Sequence, residues 1–126
     1  MAALTELRKE VAQVLSDAGI RAYEAIPDRA KAPLVIVTPG LPYLTPSQQF
    51  GEHAVTVKLE IMCLVDTGTN PKVSADLDAY VEQVYLALAD ADFDVDEVSA
   101  PYAMESTNYL GSTIRITSNI VLGGTN

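Results

Sequence analysis

The stretch CLVDTGTN, residues 63–70, holds the residue types in this chain that most suggest catalysis. Apolar residues lead into Asp66, and Thr67 and Gly68 follow it. A carboxylate at the end of a strand, beside a glycine that permits a tight turn, can activate water when a second carboxylate shares its proton. One hypothesis is therefore that Asp66 is catalytic, and the alternative is that it only ends a strand.

The Asp66-Thr67-Gly68 triplet resembles the local signature of homodimeric aspartic proteases, in which the turn continues into further strands. Here Asn70 and Pro71 are typical of a helix cap and a first helical residue, so the turn is expected to lead into a helix. Two copies of Asp66 would have to meet across a dimer axis, and a helix at this point leaves no obvious route to that geometry. The sequence favours the strand-to-helix turn, with the protease as an alternative.

Two other polar arrangements were candidates for chemistry. His53 is a residue type that serves as a general base, but no nucleophile with a local signature accompanies it, and a surface or interface position is commoner for such a histidine. The run DADFDVDE, residues 90–97, begins like a calcium loop, but Val95 and Pro101 stand where that loop needs Gly and Glu. Its alternation predicts a strand whose acidic row faces solvent or the lumen of a ring: Asp92, Asp94 and Asp96.

Composition bounds the domain count and the partner classes. The 126 residues fit a single domain, residues 1–126, with its own core. One cysteine and one histidine exclude a disulfide framework and a Cys/His-rich metal site, so Cys63 is expected to be a small apolar core residue. A formal net charge of −9 argues against a surface that grips DNA phosphates. Neither a signal peptide nor a membrane span is expected, since apolar runs such as Leu34–Val37 are short and no basic segment followed by an apolar one opens the sequence.

The spacing of apolar residues predicts the elements that hold these side chains. Two amphipathic helices are expected, from Leu4 to Ala18 with a stop at Gly19, and from Pro71 to near Ala91. The second helix carries its apolar face on Val73, Leu77, Tyr80, Val81, Val84, Tyr85 and Leu88. Five stretches predict strands: IRAYEAIPD, PLVIVTPG, HAVTVKLEIMCLVD, DFDVDEVSAPYAM and STIRITSNIVLGG. The order α-β-β-β-α-β-β predicts an α+β fold, with both helices on one face of an antiparallel or mixed sheet of about five strands.

The strand over residues 54–65 and the segment before it suggest assembly. This strand is long, and its second face changes from polar to apolar, so one end of that face is expected to be covered. Residues 39–53 contain three prolines and predict a long loop. We predict subunit or partner contacts for Leu41, Tyr43, Leu44, Phe50 and His53. The alternative, that the helices and the loop simply cover the sheet, stays open.

Nearly the whole chain resembles the tail terminator proteins of long-tailed bacteriophages, also called tail-completion or head–tail joining proteins. The resemblance rests on the order, the length and the general residue pattern of the elements, and not on a single motif. The stretches that carry it are ALTELRKEVAQVLSDAGI, RAYEAIP, APLVIVTPG, HAVTVKLEIMCLVDTG, VSADLDAYVEQVYLALAD and STIRITSNIVL.

This resemblance implies a structural protein of the virion tail or neck, present in the host cytoplasm during assembly. It implies a ring, usually hexameric, that caps the tail tube, ends tube growth and presents a surface to the head-completion or connector protein. DNA would pass through without specific binding, and an acidic lining would repel its phosphates. Enzyme activity, cofactor and metal are not implied. The alternatives are another neck or head-completion protein of a phage, or a small cytosolic α+β adaptor.

Overall fold

The computed structural model describes residues 3–24, 33–47, 53–66, 71–104 and 109–122. Within them lie two helices and six strands in the order α-β-β-β-α-β-β-β. Their bounds are α1 Ala3–Asp17, β1 Ala22–Tyr23, β2 Leu34–Pro46, β3 Ala54–Asp66, α2 Pro71–Asp90, β4 Asp94–Val98, β5 Tyr102–Met104 and β6 Tyr109–Val121. The predicted α+β fold is confirmed, with one strand more than expected.

The described strands form one mixed sheet with the neighbour order β1-β2-β3-β6-β4, and β5 also pairs with β6. β1 runs parallel to β2, and the other described pairs are antiparallel. The long strands β3 and β6 pair without a register shift from Ala54 to Asp66. α1 lies over β1 and β2, whereas α2 lies over β3, β6 and β4. We call the face that the helices cover the inner face, and the opposite one the outer face.

α1 ends as the sequence predicts. Gly19 has a φ of 84°, in the left-handed region that glycine tolerates best. Its N–H donates to the Ser16 carbonyl at 3.0 Å, and the N–H of Ile20 donates to the Leu15 carbonyl at 2.9 Å. These two bonds define a Schellman motif. Ile20 is then buried in the main core, so the predicted stop with its apolar contact is confirmed.

The main core lies between the two helices and the inner face. On α2, Leu77, Val84 and Leu88 are fully buried, and they belong to one cluster with the inner-face side chains. The buried inner-face side chains are Val35, Val37, Val55, Val57, Leu59, Ile61, Cys63, Val65, Ile114 and Ile116. Strict alternation along β3 produces this face, because every second side chain points to the same side. The predicted packing of the second helix on this face is confirmed.

The outer face changes from polar to apolar along β3. At its apolar end Leu34, Ile36 and Leu64 form a second, fully buried cluster. Tyr23 and Met62 are partly buried and pack against it. The predicted change of polarity, with cover at one end only, is therefore confirmed.

The prediction of a loop over residues 39–53 is wrong for the first half of that segment, since β2 continues to Pro46. Its ladder with β3 is irregular between Pro39 and Leu44, where β2 holds more residues than the strand it faces. Such a bulge lets proline and glycine lie within a strand that they would otherwise interrupt. Gly40 is required there, because an added Cβ would lie 2.8 Å from the Lys58 carbonyl oxygen.

The strand predicted over DFDVDEVSAPYAM is divided into β4 and β5. Ser99 and Pro101 stand between them, and proline cannot donate to a ladder. The chain nevertheless stays attached to β6, because the Ser99 N–H donates to the Thr113 carbonyl at 2.8 Å. The Ser112 hydroxyl also donates to the Ser99 carbonyl at 2.8 Å. This division accounts for the sixth strand.

Candidate functional site

Asp66 is the last residue of β3 and pairs with Tyr109 of β6. Its side chain is exposed, and α2 begins at Pro71. Thr67, Gly68 and Asn70 lie outside the described residues. The predicted order, a strand that ends at Asp66 and a helix that starts at Pro71, is confirmed.

Asp92 belongs to the end of α2 and not to a strand. It has a φ of 66°, and its N–H donates to the Ala89 carbonyl at 3.0 Å. The Phe93 N–H donates to the Leu88 carbonyl at 3.1 Å. This is the same Schellman arrangement as at Gly19, with aspartate in the left-handed position that it also tolerates. The predicted acidic row therefore loses its first member.

Asp94 and Asp96 lie in β4, but a bulge interrupts the alternation that predicted them in one row. The pairing steps from Asp94 opposite Thr117 to Glu97 opposite Arg115, so β4 has one residue more than β6 here. Thr117 Oγ1 donates to the Asp96 carboxylate. The side chains of Asp94, Asp96 and Glu97 are all exposed. The acidic stretch is thus present at the sheet edge, with Glu97 in place of Asp92.

Arg115 is the centre of a charged cluster on the outer face. Its Nη1 donates to Glu97 Oε1 at 2.9 Å, and its Nε lies 3.4 Å from Glu60 Oε2. The hydrogen bond to Glu97, followed by the charges of Glu97 and Glu60, raises the pKa of Arg115. Its positive charge is therefore shared between two carboxylates. A cleft of about 370 Å³ beside it is lined by Gly40, Lys58, Leu59, Glu60, Asp96, Glu97, Arg115 and Thr117.

Sequence spacing did not identify this cluster. Glu60 and Arg115 each occupy a polar position of an alternating strand, which predicts exposure but no partner. Only the register of β3 against β6 brings them opposite each other. A pairing of oppositely charged positions across the two longest strands is the signal that could have found them.

The residues predicted to contact a partner differ in their surroundings. Tyr43 and Leu44 are partly buried and pack against the main core, which supports the alternative that this segment covers its own sheet. His53 is exposed with a φ of 63°, and its carbonyl accepts the Leu122 N–H at 2.9 Å. The Leu41 side chain lies outside the described residues. So does the whole of residue 50, and with it the predicted contact of Phe50.

An exposed apolar surface lies between α2 and β4. Tyr85, Leu86 and Val98 are 41%, 59% and 39% exposed, and together with Val81 and Glu82 they line a shallow groove of about 440 Å³. We call these five residues the α2–β4 surface. The helical spacing predicts Tyr85 on the apolar face of α2, but its side chain is exposed and does not belong to the main core. β4 is the last strand of the described sheet on this side, and no other described element covers this side of α2.

Cys63 and Tyr80 are titratable groups in the main core. Burial raises the pKa of the Cys63 thiol to about 12 and also raises the pKa of the Tyr80 hydroxyl. Cys63 therefore stays protonated at neutral pH, and a protonated thiol is a poor nucleophile. Its full burial confirms the prediction of a small core residue.

Among the described residues, no group of three or more His, Cys, Asp or Glu side chains is arranged to hold a metal ion. None of the helices in the described part of the chain is long and apolar enough to cross a membrane.

Comparison with protein-family models and with curated protein sequences gives no match to this chain.

Proposed function

We propose that this protein is a structural subunit of a phage tail, a tail terminator. In this role it forms a ring, hexameric as the resemblance implies, that caps the tail tube and ends its polymerisation. The ring offers its other side to the head-completion or connector protein. It acts in the virion tail or neck after assembly in the host cytoplasm, without enzyme activity, cofactor or metal.

The observation that carries this proposal is the charge of the outer face and the adjoining sheet edge. Its described cations are Lys58 and Arg115, and Arg115 is already shared between Glu60 and Glu97. Asp94 and Asp96 add two exposed carboxylates on β4. Excess negative charge at this surface repels phosphates, and the described residues of the face offer no cluster of free cations to bind them. A surface of this kind suits a passage through which DNA must move without being retained.

The bulged end of β2 supplies the contact between neighbouring subunits in this proposal. Leu41, Tyr43 and Leu44 lie on it, and Phe50 and His53 follow. A contact between this end of one subunit and a different surface of the next is heterologous, and such contacts close into a ring when the rotation allows it. Tyr43 and Leu44 need expose only part of their side chains for this purpose.

Tube assembly tests the proposal directly. The purified protein is added to polymerising tail tube protein of the same phage, and tube lengths are measured by electron microscopy. We expect capped tubes of limited length, with a ring at one end. Tubes of unchanged length would contradict the proposal, and so would a two-fold dimer with acid peptidase activity in light scattering and cleavage assays.

The electrostatic part has its own test. Asp94→Lys with Asp96→Lys should create a cationic edge that retards double-stranded DNA in a salt-dependent gel shift, whereas the native protein should not retard it. Glu10→Lys with Asp17→Lys on exposed positions of α1 changes the net charge equally and serves as the matched control. Equal retardation by both double variants would show that net charge, and not this edge, governs DNA binding.

A further inference from the structure

The α2–β4 surface is the most exposed apolar feature in the described part of the chain. Three large side chains, Tyr85, Leu86 and Val98, keep 39% or more of their area exposed on one side of α2. Apolar groups that cluster in this way commonly mark a binding surface, whereas single exposed ones need no explanation. Val121, 51% exposed at the far end of β6, is such a single residue and provides an internal control.

The described charges of α2 beside this surface have one sign. Glu82 lines the groove, and Asp78 lies one turn earlier on the same side of α2. Both are exposed. β4 carries further acidic side chains, but Glu97 bonds to Arg115 and Asp96 accepts from Thr117 on the outer face. Glu82 and Asp78 therefore define the charge beside the groove. Among the side chains described on α2 and β4, none is cationic.

This charge distribution disfavours a symmetric pair of copies. In a two-fold dimer through this surface, Glu82 and Asp78 of one copy would face a surface whose described charges on α2 are acidic too. Like charges placed together at a contact cost free energy and suppress that pairing. The favoured occupant therefore has apolar side chains bordered by Lys or Arg.

Sheet extension is also disfavoured at this edge. β4 is short and carries three acidic side chains, and the bulge at Asp96 interrupts its ladder. Short length, charge and bulges are the features by which edge strands avoid pairing with another strand. The occupant is thus expected to insert side chains between α2 and β4, as an amphipathic helix does in an apolar groove.

We propose that the α2–β4 surface binds a basic amphipathic helix of another protein, which inserts apolar side chains beside Tyr85 and Leu86 and directs Lys or Arg to Glu82 and Asp78. This binding does not require the ring or the tail function proposed above. It is a property of the single subunit and can be measured on it.

The probe is a fluorescein-labelled helical peptide of about four turns, with Leu at i, i+3, i+4 and i+7 and Lys at the bordering positions. Fluorescence anisotropy should detect binding that weakens as salt rises. Leu86→Ser with Tyr85→Ser should raise Kd about tenfold, which corresponds to about 1.4 kcal/mol. Val121→Ser should leave Kd unchanged. Circular dichroism melts verify that each variant is folded, which is expected since all three side chains are substantially exposed.

Charge exchange provides the second arm. Glu82→Lys with Asp78→Lys should abolish binding of the Lys peptide and create binding of a matched peptide that has Glu in place of Lys. Glu10→Lys with Asp17→Lys on α1 is the control of equal charge and should do neither.

Three results would overturn the proposal. The first is equal binding by a peptide with Ala in place of Leu, which would show that charge attraction alone accounts for the binding. The second is an equal effect of Val121→Ser and the paired serine variant. The third is a change of oligomeric state in sedimentation when Tyr85 and Leu86 are replaced, which would assign the surface to a second copy of the chain.

Discussion

The two sides of the sheet differ in whether their polar groups have hydrogen-bond partners. On the outer face they are paired across strands: Thr56 Oγ1 donates to Asn119 Oδ1 at 2.8 Å, and Arg115 contacts two carboxylates. On the inner side the buried Tyr80 hydroxyl has no hydrogen-bond partner among the described residues. The inner face is thus stabilised mainly by apolar packing, and the outer face carries polar pairs that water can still reach.

The largest expected effect on the free energy of unfolding comes from substitutions in β3 that compare its two faces. Ile61 is fully buried on the inner face, and Ile61→Ala should lower the free energy of unfolding by about 2–5 kcal/mol through lost burial and a cavity. Leu77→Ala on α2 should have an effect of the same size, because Leu77 is also fully buried. Urea melts measure both.

The matched control is Lys58→Ala, an exposed outer-face position of the same strand. It should change the free energy of unfolding by no more than about 0.5 kcal/mol. A similar loss at Lys58 and Ile61 would remove the contrast between the faces, and with it the assignment of the core.

A second substitution tests the apolar end of the outer face. A Cβ added to Gly111 would lie 2.9 Å from Leu64 Cδ2 and 3.2 Å from the Tyr102 ring. Overpacking costs about 1–3 kcal/mol, and the lower chain flexibility of alanine returns about 0.5–1 kcal/mol, so Gly111→Ala should destabilise by about 1 kcal/mol in urea melts. Leu64→Val removes the nearer atom, and the double variant should therefore lose less than the sum of the single losses. Additive losses would show that this end of the face is loosely covered.

Much of this fold could be predicted from local patterns. The alternation in β3, the helical periodicities, the glycine at the end of α1 and the proline at the start of α2 each depend on near neighbours in the chain. The continuation of β2 through Pro39 and Gly40 could not be predicted in this way. A bulge depends on the strand that faces it, and the residues that permit it are the same ones that usually mark a loop.

The sites were less predictable for a related reason. The spacing of Asp92, Asp94 and Asp96 predicts one alternating row. In the structure, however, Asp92 belongs to the end of α2, and the bulge in β4 changes the position of Asp96. The Arg115 cluster depends on register between residues far apart in sequence. The exposure of Tyr85 depends on where the sheet ends, and nothing in the helical period of α2 contains that information.

An effect of similar size and opposite sign is expected from the buried Tyr80 hydroxyl on the inner side. Tyr80→Phe removes a buried polar atom that has no described partner, and it should raise the free energy of unfolding by about 1 kcal/mol at neutral pH. The folded-state pKa of Tyr80 is raised above its unfolded value, so the native tyrosine loses stability as pH rises above about 10. The advantage of the phenylalanine variant should therefore grow in alkaline urea melts. A loss of stability on substitution would indicate that the hydroxyl is hydrogen-bonded in solution.

The smallest effect is expected at Asp66, where β3 leaves the sheet and neither face encloses the side chain. Asp66→Asn keeps a residue that serves turns, and its backbone pairing with Tyr109 does not involve the carboxylate, so the free energy of unfolding should stay within about 0.5 kcal/mol. Asp76→Asn, an exposed position on α2, gives the background for removing one negative charge. The same three proteins are incubated with labelled casein across acidic pH, where we expect no cleavage by any of them. Cleavage by the native protein that disappears only in Asp66→Asn would make the carboxylate catalytic, because a shared proton between two copies of Asp66 cannot form when one oxygen is replaced by an amide. In that case the end of β3 would be an active site, and the structural role proposed for this protein would be wrong.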